Sequence, residues 1–137
     1  MIVVDTNVIC YRWMASPHAG AVDKLWRKDS DWIVPLLWRS EFRNALAGAV
    51  RKELIAMETA IDIIDQAEAQ FAEREFVVAS RAVMELVGQS RCSAYDCEFV
   101  ALALEQRVPL VTFDGDVLRD FGAIGLKVEE FLRRKKS

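Results

Sequence analysis

Ile2, Val3 and Val4 are three consecutive apolar residues, and an aspartate follows at once. Such a run reads as a short strand buried on both faces, the kind found inside a parallel sheet. Its end falls at the carboxyl edge of that sheet, where open α/β folds place their ligands. Asp5 is therefore either presented at a site or is the N-cap of the next helix, a position that Asp favours. The design recurs late in the chain. Val108 to Phe113 reads as another apolar strand, and Asp114 follows it directly.

Between these two runs, helix and strand patterns alternate. Ser16-Pro17 opens a helix to about Lys28, with serine as cap and proline in the first turn. Val8 to Met14, just before it, reads as a loop or a short helix. Trp32–Pro35 is the second strand. Residues 36–54 form a helix whose apolar face holds Leu37, Trp38, Phe42, Ala45 and Leu46. Residues 57–73 form another, with Ala60, Ile61, Ile64, Ala67 and Phe71 inward and Asp62, Asp65, Glu68 and Glu73 solvated. Phe76–Ala79 is the third strand, and Ser80 caps the helix after it. Ser93-Ala94-Tyr95-Asp96 opens a helix to about Gln106, with Ser93 competing with Asp96 as its cap. Gly115-Asp116 starts a short helix ended by Gly122. Leu126–Val128 is a last edge strand, and Phe131–Ser137 is a basic, frayed tail. This pattern predicts one domain over residues 1–137, with a parallel sheet of four to five strands covered on both faces.

Composition narrows the setting. Hydrophobic residues make up 53% of the chain, enough for a core, yet no apolar run is long enough to span a membrane. The start of the chain lacks the marks of a secretion signal. Cys10, Cys92 and Cys97 are odd in number, which fits free thiols in a reducing cytoplasm. A net charge of -3 neither marks nor excludes a nucleic-acid binder, because patches decide that. The single histidine, His18, takes no role. Trp13, Trp26 and Trp38 are either core or interface anchors.

Four acids stand out by placement. Asp5 and Asp114 end strands on the same sheet edge. Glu41 and Asp96 project from the apolar faces of helices that pack on the sheet. For Glu41 the alternative is a local pair with Arg39, Arg43 or Arg51. If all four converge, they do so without a lysine or arginine among them. Like charges in one pocket repel, and a bound cation relieves them. Oxygen ligands alone point to Mg²⁺ or Mn²⁺ rather than zinc. An ion held this way suits phosphate chemistry, because it lowers the pKa of a water. Thr112 and Asn7 add neutral hydrogen-bonding groups beside the acids.

The successive segments Val-Val-Asp5-Thr-Asn7, Ser40-Glu41-Phe-Arg-Asn44-Ala-Leu46, Tyr95-Asp96 and Leu110-Val-Thr112-Phe-Asp114-Gly-Asp116 resemble the motifs of the PIN-domain family in order and spacing. The resemblance covers essentially the whole chain and is nearest to the VapC-type toxins of toxin–antitoxin modules. It implies a three-layer α/β/α fold and Mg²⁺- or Mn²⁺-dependent hydrolysis of single-stranded RNA. It carries the family's core acids onto Asp5, Glu41, Asp96 and Asp114, and its hydroxyl onto Thr112. Asp116 corresponds to an outer or second-metal ligand, and Asn7 and Asn44 to supporting positions. A cognate antitoxin and a homodimer are implied as well. Arg12, Arg39 and Arg43 are candidate RNA contacts. Two other readings stay open: a PIN nuclease that processes RNA without a toxin role, and a catalytically silent module that binds a metal or a partner. A haloacid-type phosphatase would need an aspartate where Asn7 stands. A receiver domain would need a lysine that residues 108–116 lack.

Overall fold

The computed structural model describes residues 1–135. Five short parallel strands form the sheet: β1 (Ile2–Val4), β2 (Trp32–Pro35), β3 (Glu75–Phe76), β4 (Leu110–Val111) and β5 (Gly125–Leu126). Their order is β3-β2-β1-β4-β5, with Ile2 opposite Trp32 on one side of β1 and Val3 opposite Leu110 on the other. The chain therefore builds outward from β1 to β3, then crosses back to β4 and β5. With right-handed crossovers, this reversal puts the helices of the two halves on opposite faces. The first half supplies α1 (Thr6–Trp13), α2 (Ala19–Lys28), α3 (Trp38–Arg51) and α4 (Met57–Gln70). The second supplies α5 (Ser80–Gly88), α6 (Ala94–Gln106) and α7 (Gly115–Asp120). A last helix, α8 (Val128–Arg133), returns to pack on α2. The result is the expected α/β architecture with a central parallel sheet.

The central strands are buried on both faces, as their unbroken apolar runs require. Helix α6 lies across β1, β2 and β4, and its run from Phe99 to Ala103 is wholly buried. On the other side, Trp38, Phe42 and Phe71 pack together with Trp13 against them, and Trp26 meets Trp32 edge to face. The tryptophans thus belong to the core and its margin.

Several boundaries differ from the sequence reading, each for a visible reason. The stretch after Asp5 is helical from Thr6, because Asp5 itself caps it. Strand β3 stops at Phe76, since β2 has no more backbone to offer beyond Leu36; Val77 is 79% exposed. Strand β4 is only two residues long, because Val108 N–H is spent on Ala103 O in closing α6. Ser80 is the first residue of α5, and the cap position falls to Ala79, which makes no side-chain cap bond. Ile61 is half-exposed, as α4 buries only the narrow stripe of Ala60 and Ala67. Val128 starts α8 instead of extending β5. The tail is not frayed up to Lys135: Phe131 is buried, and Lys28 Nζ donates to the carbonyls of Phe131 (2.7 Å), Leu132 (3.0 Å) and Arg134. Lys136 and Ser137 lie outside the described residues.

Candidate active site

The point where strand order reverses is the crevice between the carboxyl ends of β1 and β4. Doubly wound sheets bind ligands there. Asp5 leaves β1 at this point and caps α1, its Oδ1 accepting Thr6 N–H at 2.8 Å. Its Oδ2 accepts the hydroxyl of Thr112, just beyond β4, also at 2.8 Å. Asp5 thus caps the helix and still stands at the crevice, so the two sequence readings are compatible. Thr112 is fully buried, and its oxygen in turn accepts the N–H of Asp114 at 2.9 Å. One hydroxyl therefore fixes two of the acids relative to each other.

Asp114 caps α7, with Oδ1 accepting Asp116 N–H (2.8 Å) and Val117 N–H (3.1 Å). Glu41 comes from the first turn of α3 and receives the Thr6 hydroxyl at 2.7 Å. No arginine pairs with it. Arg39 is bound instead to Glu75 and Glu68 at the sheet margin. Ser93 caps α6 and accepts Asp96 N–H at 3.1 Å, and hydrogen bonding from Ser93 in turn draws the Asp96 carboxyl down against burial. Asn7 Oδ1 accepts Phe113 N–H at 3.4 Å, tying α1 to the segment after β4.

Asp5, Glu41, Asp96 and Asp114 line a single cavity of about 370 Å³, together with Thr6, Asn7, Cys10 and Asn44. Among the described residues, no lysine or arginine lines it. Among the described residues, no ion pair reaches any of these four acids. The electrostatic cost is visible in their proton affinities. Burial pushes the Asp5 carboxyl up to about 6, against the pull of Thr112 and Thr6, and the charges of Asp96 and Glu41 add to the rise. Glu41 is raised by burial and by Asp96. Asp96 is raised by burial and by Asp114. Neighbouring Glu98 is raised too, by burial and by Glu41.

The remaining expected residues are placed less centrally. Asp116 does not line the cavity; it is exposed and pairs with Arg119 at 3.0 Å. Arg12 reaches Asp23 and lies over the rings of Trp13 and Trp26. Arg43 is exposed on α3. Two lining residues escaped the sequence reading. Thr6 was hidden by its neighbour Asp5, although a hydroxyl one residue after a cap was a usable signal. Cys10 faces the acids one helical turn beyond Thr6. Its thiol is pushed up to about 12 by burial, with Glu41 and Asp5 adding to it, so it stays protonated. Among the described residues, no three His, Cys, Asp or Glu side chains are drawn close enough to enclose an ion as they stand.

The chain matches the family model described as PIN domain over residues 2–123. It is similar in fold to the crystal structure of FitAcB from Neisseria gonorrhoeae, with a TM-score of 0.74 at 16% identity. That match covers 94% of this chain and 99% of that one. The crystal structure of PAE2754 from Pyrobaculum aerophilum gives a TM-score of 0.75 at 18% identity, covering 96% of this chain and 92% of the other. Comparison with curated proteins finds no match.

Proposed function

Because this chain belongs to the PIN domain family, whose members are generally divalent-metal-dependent nucleases, we propose that it is an endoribonuclease that hydrolyses phosphodiester bonds of single-stranded RNA with Mg²⁺ or Mn²⁺. The observation that carries the proposal is the cavity: four carboxylates on one small concave surface with no basic side chain among them. The donor set fits a hard cation. All four acids are oxygen ligands, and the raised proton affinities of Asp5, Glu41 and Asp96 mark a local excess of negative charge.

Asp5, Glu41, Asp96 and Asp114 would hold the ion, with Asp116 available at the rim once it leaves Arg119. When bound, the ion supplies a water of lowered pKa and neutralises charge on the phosphate. The chain's own contribution is placement. Thr112 holds Asp5 and Asp114 in register, and Thr6 holds Glu41 against α1. A carboxylate left without the ion's full charge can accept a proton from the attacking water. Asn7 and Asn44 border the same space as neutral donors for substrate oxygens.

We further propose that the protein works as the toxin of a toxin–antitoxin pair, as a homodimer in the cytoplasm. Sequence resemblance to VapC-type toxins supports this role. Three buried free cysteines suit a reducing compartment, and no helix among the described residues is long and apolar enough to cross a membrane.

The test is cleavage of a single-stranded RNA by the purified chain. EDTA should abolish cleavage, Mg²⁺ or Mn²⁺ should restore it, and Glu41→Gln should be inactive with metal present. Cleavage that continues at the same rate in EDTA would refute the metal reading. Metal binding without turnover on any RNA would favour the silent binding module.

A further inference from the structure

We propose that Asp120 is a positioning residue for the acid pocket, a clasp that sets the distance between Asp96 and Asp114. The inference rests on the metal-dependent reading of that pocket. Asp120 ends α7, and its side chain is only 16% exposed. Its Oδ2 accepts the backbone N–H of Arg91 at 2.9 Å and the Cys92 thiol at 3.8 Å. Arg119 closes on it with both ends of its fork, Nε to Oδ1 at 2.8 Å and Nη2 to Oδ2 at 3.1 Å. The remaining arm of that guanidinium, Nη1, holds Asp116 Oδ1 at 3.0 Å.

These bonds join two separate pieces of chain. Arg91 and Cys92 lead directly into Ser93, which caps α6 and holds the N–H of Asp96. Asp114 caps the opposite end of the helix that Asp120 closes. Asp96 and Asp114 line the same cavity, and the clasp ties together the two segments that carry them. Asp120 supplies this tie from outside, without lining the cavity itself. Arg119 is fixed by the same clasp and holds Asp116. Outer partners that orient ligating carboxylates commonly matter for metal affinity about as much as 10- to 100-fold.

The experiment titrates Mn²⁺ into the full-length chain by calorimetry, for wild type, Asp120→Asn and Asp120→Ala. Circular dichroism and thermal melting in EDTA report the fold of each. Asp120→Ala should bind Mn²⁺ about 10- to 100-fold more weakly. Asp120→Asn keeps an acceptor for Arg91 N–H and should lose less. RNA cleavage by both should return at raised Mn²⁺, with kcat at saturating metal within about threefold of wild type, because no ligand has been removed. A lower melting temperature with unchanged Mn²⁺ affinity in either folded variant would make Asp120 merely structural and overturn the inference. Should Asp120→Ala fail to fold, Asp120→Asn decides on the same criterion. Wild type that binds no Mn²⁺ would overturn the metal reading of the pocket, and this inference with it.

Discussion

Asp5 concentrates the conflict in this molecule. It caps a helix, accepts a buried hydroxyl and lies among like charges, all at 7% exposure. Its carboxyl stands at about 6 against 3.8 when unperturbed, so the fold without metal prefers it protonated. The sign follows from linkage. Ionisation above pH 6 costs the folded state, and the cost disappears as pH falls toward 3.8. The gain is about 3 kcal/mol at most. Glu41 and Asp96 move in the same direction. Asp120 and Glu75 are held low by Arg119 and Arg39, and their contribution is lost only below the ordinary carboxylate range. In EDTA, urea denaturation should therefore show stability rising as pH falls from about 6 toward 3.8, and falling only below that. Asp5→Asn should flatten the rise. At neutral pH this variant should be at least as stable as wild type without metal, since Asn keeps an acceptor for Thr6 N–H while Thr112 can accept from its amide. Its RNA cleavage should fall by at least ~10²-fold, through loss of a ligand charge. Lower metal-free stability at pH 7.5 would show that the charge of Asp5 holds the fold together.

At the scale of elements, the sequence marks the centre of the fold more clearly than its edges. The apolar runs at Ile2–Val4 and Trp32–Pro35 were legible because central strands are buried on both faces. The convergence of Glu41 and Asp96 was legible because helical spacing put both on core-facing stripes. Helix ends were harder. Glu53, Glu73 and Arg107 follow α3, α4 and α6 in the left-handed conformation, where glycine is the usual marker. No residue type announced these stops, so two helices were read about three residues too long. Edge strands were misread for a different reason: Val77 has strand propensity but no neighbouring strand to pair with. The role of Asp120 could not be read at all, because it depends on where residue 91 arrives in space. The left-handed positions allow a direct check. Arg107 sits at φ 57 as the C-cap of α6, with its N–H bonded to Ala103 and Leu104 carbonyls. Arg107→Gly relieves about 1–2 kcal/mol of strain and adds part of that back as unfolded-state entropy. Stability should rise by about 0.5–1 kcal/mol in chemical denaturation. A loss of stability would mean that the arginine side chain makes contacts worth more than its strain.

The whole molecule places a strongly acidic cavity at the switch point of its sheet while carrying a formal net charge of only -3. Charge is thus segregated, and the cavity should attract a cation from whichever partner presents one. On the proposed function, a divalent ion held there would support cleavage. On the same proposal, an arginine from a protein partner would inhibit, because a guanidinium can bridge carboxylates bidentately and take the ion's place. This gives the proposed toxin role a consequence beyond the site. Expression of the chain alone should stop growth through RNA cleavage, visible as new RNA ends by sequencing. Asp96→Asn should relieve the arrest, since it removes one of the four charges while its backbone N–H still bonds the Ser93 hydroxyl that caps α6. A cognate antitoxin should relieve it too, and should co-purify with the toxin from the native host. If a recovered partner places an arginine in the cavity, its substitution by glutamine should restore cleavage at high Mg²⁺ before the complex dissociates, because the ion then competes with a weaker ligand. Unaffected growth during high expression of a chain that cleaves RNA in vitro would remove the toxin role. Failure to recover any partner from the native host would do the same, and a processing nuclease would then be the better description.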